Sequence, residues 1–355
     1  MAPISVLIVE DSPVAKELLV ATLNSDPRLE VIYTVETAER ALAVIPRLKP
    51  DVICMDINLP GMNGIEATRR IMQEWPTPII IVAADLRNST VHKTMDALAA
   101  GALAAIEKPK VDSAEAYNAM ARSMCNQFVN LSQLNVVRQR FNAQRSARTA
   151  DASPARQGQD CACEVVAIVA STGGPAAVST ILQGLPDSFA TPILIVQHMG
   201  GEFLEGYANW LNSNVRAGVS LARNLEIARP GQIYVAPGGH HLVYRNERLV
   251  LVADPSTTGH VPAGDELFKS IAANVGERAI GVLLTGMGAD GAAGLLDMHH
   301  AGAYTIAQDR ATSVVYGMPG AAEARGAARE ILPIGSIASR IVELASRSPN
   351  IRRAS

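Results

Sequence analysis

Three polar residues in the second half of this chain could together carry out nucleophilic catalysis. Ser171 follows the apolar run "VAIVA", His198 follows "PILIVQ", and Asp290 lies in the glycine-rich stretch "GMGADG" after a third apolar run. A serine hydroxyl becomes an effective nucleophile when an imidazole removes its proton, and a carboxylate can fix the tautomer of that imidazole and stabilise its charged form. These residue types therefore indicate a Ser-His-Asp catalytic triad.

Each member of this triad also has an ordinary structural explanation. Ser171 in "STGGP" could cap a helix or bind phosphate in a turn, and His198 could be a hydrogen-bonded histidine at a strand end. The sequence is not the nucleophile elbow of α/β-hydrolases, because Val169 takes the first glycine position of G-x-S-x-G and the order is Ser, His, Asp. The other histidines are equally suitable by residue type: His92, His240, His241, His260, His299 and His300.

The segment around Asp290 supports a specific alternative function. "GMGADG", with Gly286, Gly288 and Gly291, matches the G-x-G-x-x-G pattern between a strand and a helix, and Asp309 follows close to the spacing of a ribose-binding acid. A dinucleotide-binding domain is therefore one alternative. Against it, the segment lies near the C-terminus with only one further strand candidate, and it leaves "STGGP" and "VQHM" unexplained.

A second group of candidate residues lies in the first 110 residues. Glu10 and Asp11 end the first apolar run, Asp56 ends the third, and Lys108 ends the fifth. The carboxyl ends of parallel strands meet at one rim, where clustered carboxylates need a cation such as Mg²⁺. A carboxylate there could accept a phosphoryl group, with the lysine balancing its charge. Taken singly, such acids are usually helix caps or exposed loop charges.

The elements that must position these residues are two sets of alternating strands and helices. Five apolar runs alternate with helix-period stretches at 13–24, 37–48, 64–74 and 88–100, and six further runs follow Val165. This alternation predicts two α/β domains with doubly wound parallel sheets. In "HHLVYRNERLVLV" we expect an antiparallel pair that turns at Asn246 and Glu247. A helical pattern over 112–148 and the polar stretch "SARTADASPARQGQD" predict a helical, then flexible, linker.

Composition excludes several classes of protein. The net charge of −3 at pH 7 gives no general attraction for phosphate, so we expect no nucleic-acid partner. The N-terminus lacks a basic signal-peptide region, and no apolar run approaches the roughly 20 residues of a membrane span. Cys54, Cys125, Cys161 and Cys163 lack C-x-x-C spacing, so neither a disulfide framework nor a zinc site is expected. A cytoplasmic protein without direct membrane insertion fits these features.

The first domain resembles a two-component response-regulator receiver, with "VEDS", "DVICMDINLPGMNG" and "EKP" in the expected order. The resemblance implies a flavodoxin-like fold, Asp56 as phosphoacceptor and Lys108 on the phosphoryl group. It also implies Mg²⁺ on Asp11, Asp56 and the Asn58 carbonyl, with Glu10 mostly through water. Receivers usually carry Ser or Thr at the end of strand four and an aromatic residue on strand five, where this chain has Ala83 and Ala105.

The second domain resembles the catalytic domain of the CheB family of chemoreceptor protein-glutamate methylesterases. The motifs "ASTGGP", "VQHM", "APGGHHL", "LLTGMGADGAAGL" and "TIAQDRATSVVYGMP" occur in family order. The resemblance implies a Rossmann-like fold, hydrolysis of glutamyl γ-methyl esters on chemoreceptors and, in many members, deamidation of glutamine. It makes Ser171 the nucleophile, His198 the general base and Asp290 its orienting acid, with the Met287 amide as oxyanion donor. No cofactor is implied for the hydrolase.

The same resemblance implies a regulatory scheme and boundaries: a receiver at 1–124, a linker at 125–161 and a catalytic domain at 162–350. The unphosphorylated receiver is expected to cover the catalytic face until a CheA-type histidine kinase phosphorylates Asp56. Ala83 and Ala105 lead us to expect weak activation or a different contact. Another departure is "VPAGD" at 261–265, where relatives carry Arg-Pro-Ser-Val-Asp. A catalytically inactive binding module controlled by the receiver is the remaining alternative.

Overall fold

The aliphatic runs of the first 110 residues form the five parallel strands of one sheet. In the computed structural model, which describes residues 2–83, 90–109, 113–134, 163–254 and 259–346, this sheet has the order β2-β1-β3-β4-β5. This is the flavodoxin-like doubly wound order that we predicted. The elements are β1 (Ile4–Val9), α1 (Pro13–Asn24), β2 (Leu29–Val35), α2 (Ala38–Leu48), β3 (Val52–Asp56), α3 (Gly64–Glu74), β4 (Ile79–Ala83), α4 (Thr90–Ala99), β5 (Ala104–Glu107) and α5 (Ala114–Ser132).

The second domain is built on a seven-stranded parallel sheet with the order β15-β14-β13-β6-β7-β10-β8. From β6 the chain first adds strands on one side of β6, beginning with β7. It then crosses over and adds β13 on the other side of β6. The topological switch point therefore lies between β6 and β13. The elements are β6 (Val165–Ala170), α6 (Gly174–Gly184), β7 (Ile193–Gln197), α7 (Leu204–Asn214), β8 (Gly218–Leu221), β9 (Glu226–Ile227), β10 (Gln232–Val235), β11 (His240–Arg245), β12 (Arg248–Ala253), α8 (Gly264–Asn274), β13 (Ala279–Leu283), α9 (Ala292–His300), β14 (Tyr304–Gln308), α10 (Met318–Ala324), β15 (Glu330–Leu332) and α11 (Ile334–Ala345).

The predicted antiparallel pair is present. Strands β11 and β12 pair from His240 opposite Ala253 to Arg245 opposite Arg248, and short strand β9 completes this three-stranded sheet. Asn246 and Glu247 have φ values of 49° and 59°, the left-handed conformation that a tight hairpin turn requires. Both the strands and the turn were therefore predicted correctly.

Helix α5 crosses the predicted boundary at residue 124. Met124, Cys125 and Phe128 are buried in the core of the first domain, so the helix continues that domain through the boundary. Most of the predicted linker, including "SARTADASPARQGQD", lies outside the described residues. The exact division into domains stays a prediction.

The two domains pack through α4. Val91 and Met95 of this helix are buried in the same apolar cluster as Tyr207 and Trp210 of α7. The indole Nε1 of Trp210 donates a hydrogen bond to Asp96 Oδ1 over 2.8 Å. Gly206 lets the helices approach, because a Cβ at that position would lie 2.0 Å from Val91 Cγ1. Among the described residues, no helix has the length and apolar character to cross a membrane.

Candidate active site

Ser171 is the first residue after β6, and its side chain does not cap the following helix. The N-cap of α6 is Gly173, with φ of 77°, and within the described residues no side-chain hydrogen bond caps this helix. A Cβ on Gly173 would lie 2.7 Å from Val314 Cβ, so both backbone angle and space require glycine. The helix-cap explanation of Ser171 is therefore wrong.

The backbone around Ser171 is held from three sides. Its N–H donates to the Thr285 carbonyl over 3.0 Å, and its carbonyl accepts from Gly174 N and from Gln197 Nε2, both over 2.8 Å. A Cβ on Gly286 would lie 2.6 Å from the Cβ of Ser171. The first glycine of "GMGADG" thus has a packing role, because it lets the loop after β13 approach the serine.

The structure brings His198 and Asp290 together at the switch point. His198 Nε2 lies 2.7 Å from Asp290 Oδ2, and the two side chains are 5% and 16% exposed. The two atoms are in contact, but the Nε2–H bond does not point closely enough at the oxygen to form a well-aligned hydrogen bond. The other ring nitrogen, Nδ1, is buried and has no hydrogen-bond partner among the described residues. Nδ1 is therefore the ring nitrogen left for a substrate or nucleophile.

The N-terminus of α8 holds the Asp290 carboxylate. Gly264 N donates to Oδ2 over 2.6 Å, and Asp265 N donates to Oδ1 over 3.1 Å. Burial alone would raise the pKa of Asp290, but the close contact with His198 and the hydrogen bonds from these two amides outweigh it and bring the pKa to about 2. The positive end of a helix also favours a carboxylate here. Asp290 is therefore ionised at neutral pH.

A further histidine, which sequence reasoning did not select, stacks on His198. The ring of His260 is parallel to that of His198 within 7°, with centroids 4.1 Å apart. Burial, followed by the proximity of His198, lowers the pKa of His260. His260 is therefore a neutral, flat partner for the His198 ring. His260 follows no apolar run in the sequence, so no pattern could have selected it among the seven histidines.

The site opens into a cavity of about 500 Å³ between the two domains. Ser171, His198, His260 and Met287 line one side of the cavity. The other side comes from α4, β5 with the residue before it, and α5 of the first domain, through Met95, Leu98, Leu103, Ala105, Asn130 and Leu131. The first domain therefore covers the candidate catalytic residues.

The acidic residues of the first domain also converge. One carboxylate oxygen from each of Glu10, Asp11 and Asp56 lies within 4.8 Å of the others. Lys108 Nζ is 2.7 Å from Glu10 Oε2 and 3.2 Å from Asp56 Oδ1. The pKa of Glu10 is raised, and burial is the largest cause. The pKa of Lys108 is also raised: burial alone would lower it, but the interactions with Glu10 and Asp56 outweigh burial. Three hard oxygen donors around one point fit Mg²⁺.

Two more receiver positions bear on how this domain could signal. Ala83 ends β4 and is buried in the receiver core, whereas Ala105 of β5 lines the interdomain cavity. Asn58 is linked to α4 instead, because its side-chain oxygen accepts a hydrogen bond from Lys93 Nζ over 2.9 Å.

The acid proposed for ribose binding has a local role. Asp309 Oδ1 accepts hydrogen bonds from Thr312 N over 3.0 Å and Thr312 Oγ1 over 2.5 Å, which closes the loop after β14. Together with the packing role of Gly286, this removes the observations that favoured a dinucleotide site.

The fold and site define a receiver joined to a hydrolase-like α/β domain, and comparison with known proteins agrees. The family model described as CheB methylesterase matches residues 166–341, and that of the response regulator receiver domain matches residues 6–121. The chain belongs to the CheB family of protein-glutamate methylesterases/protein-glutamine glutaminases.

Relatives with that name are similar over nearly their whole length. One from Paramagnetospirillum magneticum is 46% identical over 344 residues, covering 96% of this chain and 97% of the relative. One from Syntrophus aciditrophicus is 47% identical over 348 residues, covering 96% and 98%. The crystal structure of the Thermotoga maritima CheB methylesterase catalytic domain is 35% identical, covers 51% of this chain and 98% of its own, and gives a TM-score of 0.49.

From the low pKa of Asp290 we predict how the free energy of unfolding depends on pH. A carboxyl group with a folded pKa of about 2, below the unfolded value of about 3.9, stabilises the fold above pH 4, and this contribution is lost as pH falls through 2. We expect Asp290→Asn to lower the free energy of unfolding by about 2 kcal/mol at pH 6, with a smaller difference at pH 3. Urea unfolding measures both values.

Asp187→Asn is the matched control, because this aspartate is exposed and pairs with the exposed Arg216 at the surface. A difference between wild type and Asp290→Asn that stays constant from pH 6 to pH 3 would contradict the assignment of a low pKa.

Proposed function

We propose that this chain hydrolyses γ-methyl esters of glutamyl side chains on chemoreceptors, releasing methanol, and converts receptor glutamines to glutamates, releasing ammonia. Both reactions cleave a bond at the same γ-carbonyl carbon, so one site can perform both. The observation that carries the proposal is the contact of an ionised Asp290 with His198, which lines the same cavity as Ser171. Membership of the CheB family supports the substrate class.

In this proposal Ser171 Oγ attacks the γ-carbonyl carbon while His198 takes its proton. Because Nε2 faces Asp290, Nδ1 is the nitrogen that accepts the proton, the reverse of the usual arrangement in which Nδ1 faces the carboxylate. The imidazolium then gives the proton to the leaving oxygen or nitrogen, so that methanol departs from the ester or ammonia from the amide. Water, deprotonated by the same nitrogen, cleaves the acyl-serine and restores the enzyme.

The charge that develops on the carbonyl oxygen needs donors at the same rim. Met287, one residue after the glycine that packs on Ser171, lines the cavity with Gly288. We assign its backbone amide as the oxyanion donor, since a backbone N–H held in place stabilises such charge without reorganising. Glycines on both sides give the loop little bulk, which suits an ester presented on the surface of a receptor helix.

In the receiver, we assign Asp56 as phosphoacceptor for a CheA-type histidine kinase and Lys108 as the group that contacts the phosphoryl oxygens. Glu10, Asp11, Asp56 and the Asn58 carbonyl would hold Mg²⁺, whose charge would neutralise the oxygens during transfer. Such a protein would act in the cytoplasm, where the kinase and the receptor signalling domains are accessible.

The covered cavity suggests how phosphorylation is coupled to activity. The docked receiver keeps receptor helices from the site, and activation requires α4 to move away from α7. Without the hydroxyl and aromatic side chains at Ala83 and Ala105, we assign the coupling to Lys93, which links Asn58 near the phosphoacceptor to the helix that docks. An exposed polar pair of this kind contributes little stability, so it can break without disturbing the fold.

The catalytic assignment predicts that Ser171→Ala and His198→Ala each lower methanol release from methylated receptor fragments by several orders of magnitude. His300→Ala is the control, because His300 is exposed at the end of α9. Near wild-type turnover in either active-site variant would reject the triad and favour a binding module.

The coupling assignment predicts that Lys93→Met reduces the stimulation of methanol release by a small phosphodonor with Mg²⁺. The measurement compares the stimulated and unstimulated rates of each full-length protein. Lys16→Met is the matched control, because Lys16 lies on α1, not on α4, and its Nζ forms a comparable 2.8 Å pair with Glu36. Equal stimulation in wild type and Lys93→Met would show that the signal takes another route.

A further inference from the structure

A second His–Asp pair lies outside the cavity of the candidate active site, between the three-stranded sheet and the start of α8. His241 of β11 is buried, and its Nε2 lies 3.0 Å from Asp254 Oδ2, just after β12. Its other nitrogen, Nδ1, accepts a hydrogen bond of 3.1 Å from the backbone N–H of Ala263. The ring therefore connects the three-stranded sheet to the loop that precedes α8.

These contacts determine the tautomer of His241. A backbone N–H can only donate, so Nδ1 must present its lone pair to Ala263. The ring proton is then on Nε2, where it is donated to the Asp254 carboxylate. In this form both ring nitrogens have a partner, and the ring bridges the two elements as a neutral group.

The loop that His241 holds is the one that anchors the catalytic aspartate. Three consecutive backbone N–H groups donate to two side chains: Ala263 N to His241, then Gly264 N and Asp265 N to the two oxygens of Asp290. Asp290 in turn contacts His198. A shift at Ala263 therefore moves the two amides that fix the carboxylate.

The space around this loop allows little independent adjustment. A Cβ on Gly264 would lie 2.4 Å from Val169 Cγ1 on β6, so the start of α8 is packed directly against the strand that carries Ser171. Asp265 Oδ1 also accepts a hydrogen bond of 2.7 Å from Gly294 N of α9. The helix is thus tied to the catalytic strands, and the chain entering it is tied through His241.

We propose that His241, held by Asp254, is a positioning residue for the catalytic aspartate: its Nδ1 lone pair fixes the amides of Gly264 and Asp265 at the distances that orient Asp290 toward His198. The inference rests on the proposed function of the Ser-His-Asp group. It assigns to the second His–Asp pair an effect on the chemical step in addition to its contribution to folding.

Two amide substitutions, each of which reproduces the position of one ring nitrogen, separate the effect on the chemical step from the effect on folding. In His241→Asn the side-chain amide oxygen occupies the region of Nδ1 and can still accept from Ala263 N, whereas in His241→Gln the amide lies nearer Nε2 and can only reach Asp254. We expect His241→Asn to stay close to the wild-type kcat for methanol release. We expect His241→Gln to lose on the order of 10- to 100-fold in kcat with little change in KM.

His240→Gln is the matched control on the same strand, since the ring of His240 lies 3.3 Å from the Gly238 carbonyl through Nδ1 and makes no hydrogen bond to the loop before α8 among the described residues. Thermal unfolding of all three full-length variants reports stability separately. Equal losses of kcat in His241→Asn and His241→Gln, or losses that follow their stability, would reduce His241 to a structural residue.

A spectroscopic measurement tests the same claim without any substitution. Long-range ¹H–¹⁵N correlation spectra of the labelled full-length protein are expected to show Nδ1 of His241 unprotonated and Nε2 protonated, whereas a proton on Nδ1 would overturn the proposal. Ser171→Ala separates this inference from the proposed function. If that variant loses activity while His241→Gln does not, only the positioning role fails; if Ser171→Ala remains active, the proposed function itself fails.

Discussion

The Asp290 carboxylate is the charge on which the arrangement of the second domain depends. It is largely buried, so it must be fully hydrogen-bonded to remain ionised. The first two amides of α8 supply those bonds, which fixes where α8 begins and requires glycine at 264 so that the helix can reach β6. The fixed carboxylate contacts His198 and so orients its ring. The glycine loop that carries Asp290 approaches Ser171 through Gly286.

Both domains use the same property of parallel sheets. Polar residues that follow buried strands gather at the carboxyl ends of those strands, which gives an acidic cluster in the receiver and the Ser-His-Asp group at the switch point of the second sheet. The domains then meet so that α4, β5 and α5 of the receiver cover the second of these sites. Residues of the receiver and the candidate catalytic residues therefore line one cavity, so the receiver restricts access to Ser171 in this arrangement.

Much of this could be predicted from the sequence, because most candidate residues follow an apolar run directly or within one short glycine-rich loop. The runs predicted the strands, the strands predicted a common rim, and the hairpin turn at Asn246 and Glu247 followed from its turn residues. Strands β8, β9 and β15 were missed because they are only two to four residues long and carry little pattern. The roles of His241 and His260 depend on loop contacts across the fold, which hydrophobic periodicity does not encode. The cap explanation of Ser171 failed because Gly173, in a left-handed conformation, starts the helix instead.

The central claim is that Ser171 is a nucleophile activated by His198, and covalent labelling with a fluorophosphonate tests it most directly. Treated full-length protein is digested, and the adduct is located by mass spectrometry in wild type and in His198→Ala. The account predicts one dominant adduct, on Ser171, that forms far more slowly in the variant. An adduct on another residue, or labelling of Ser171 at the same rate without His198, would contradict it.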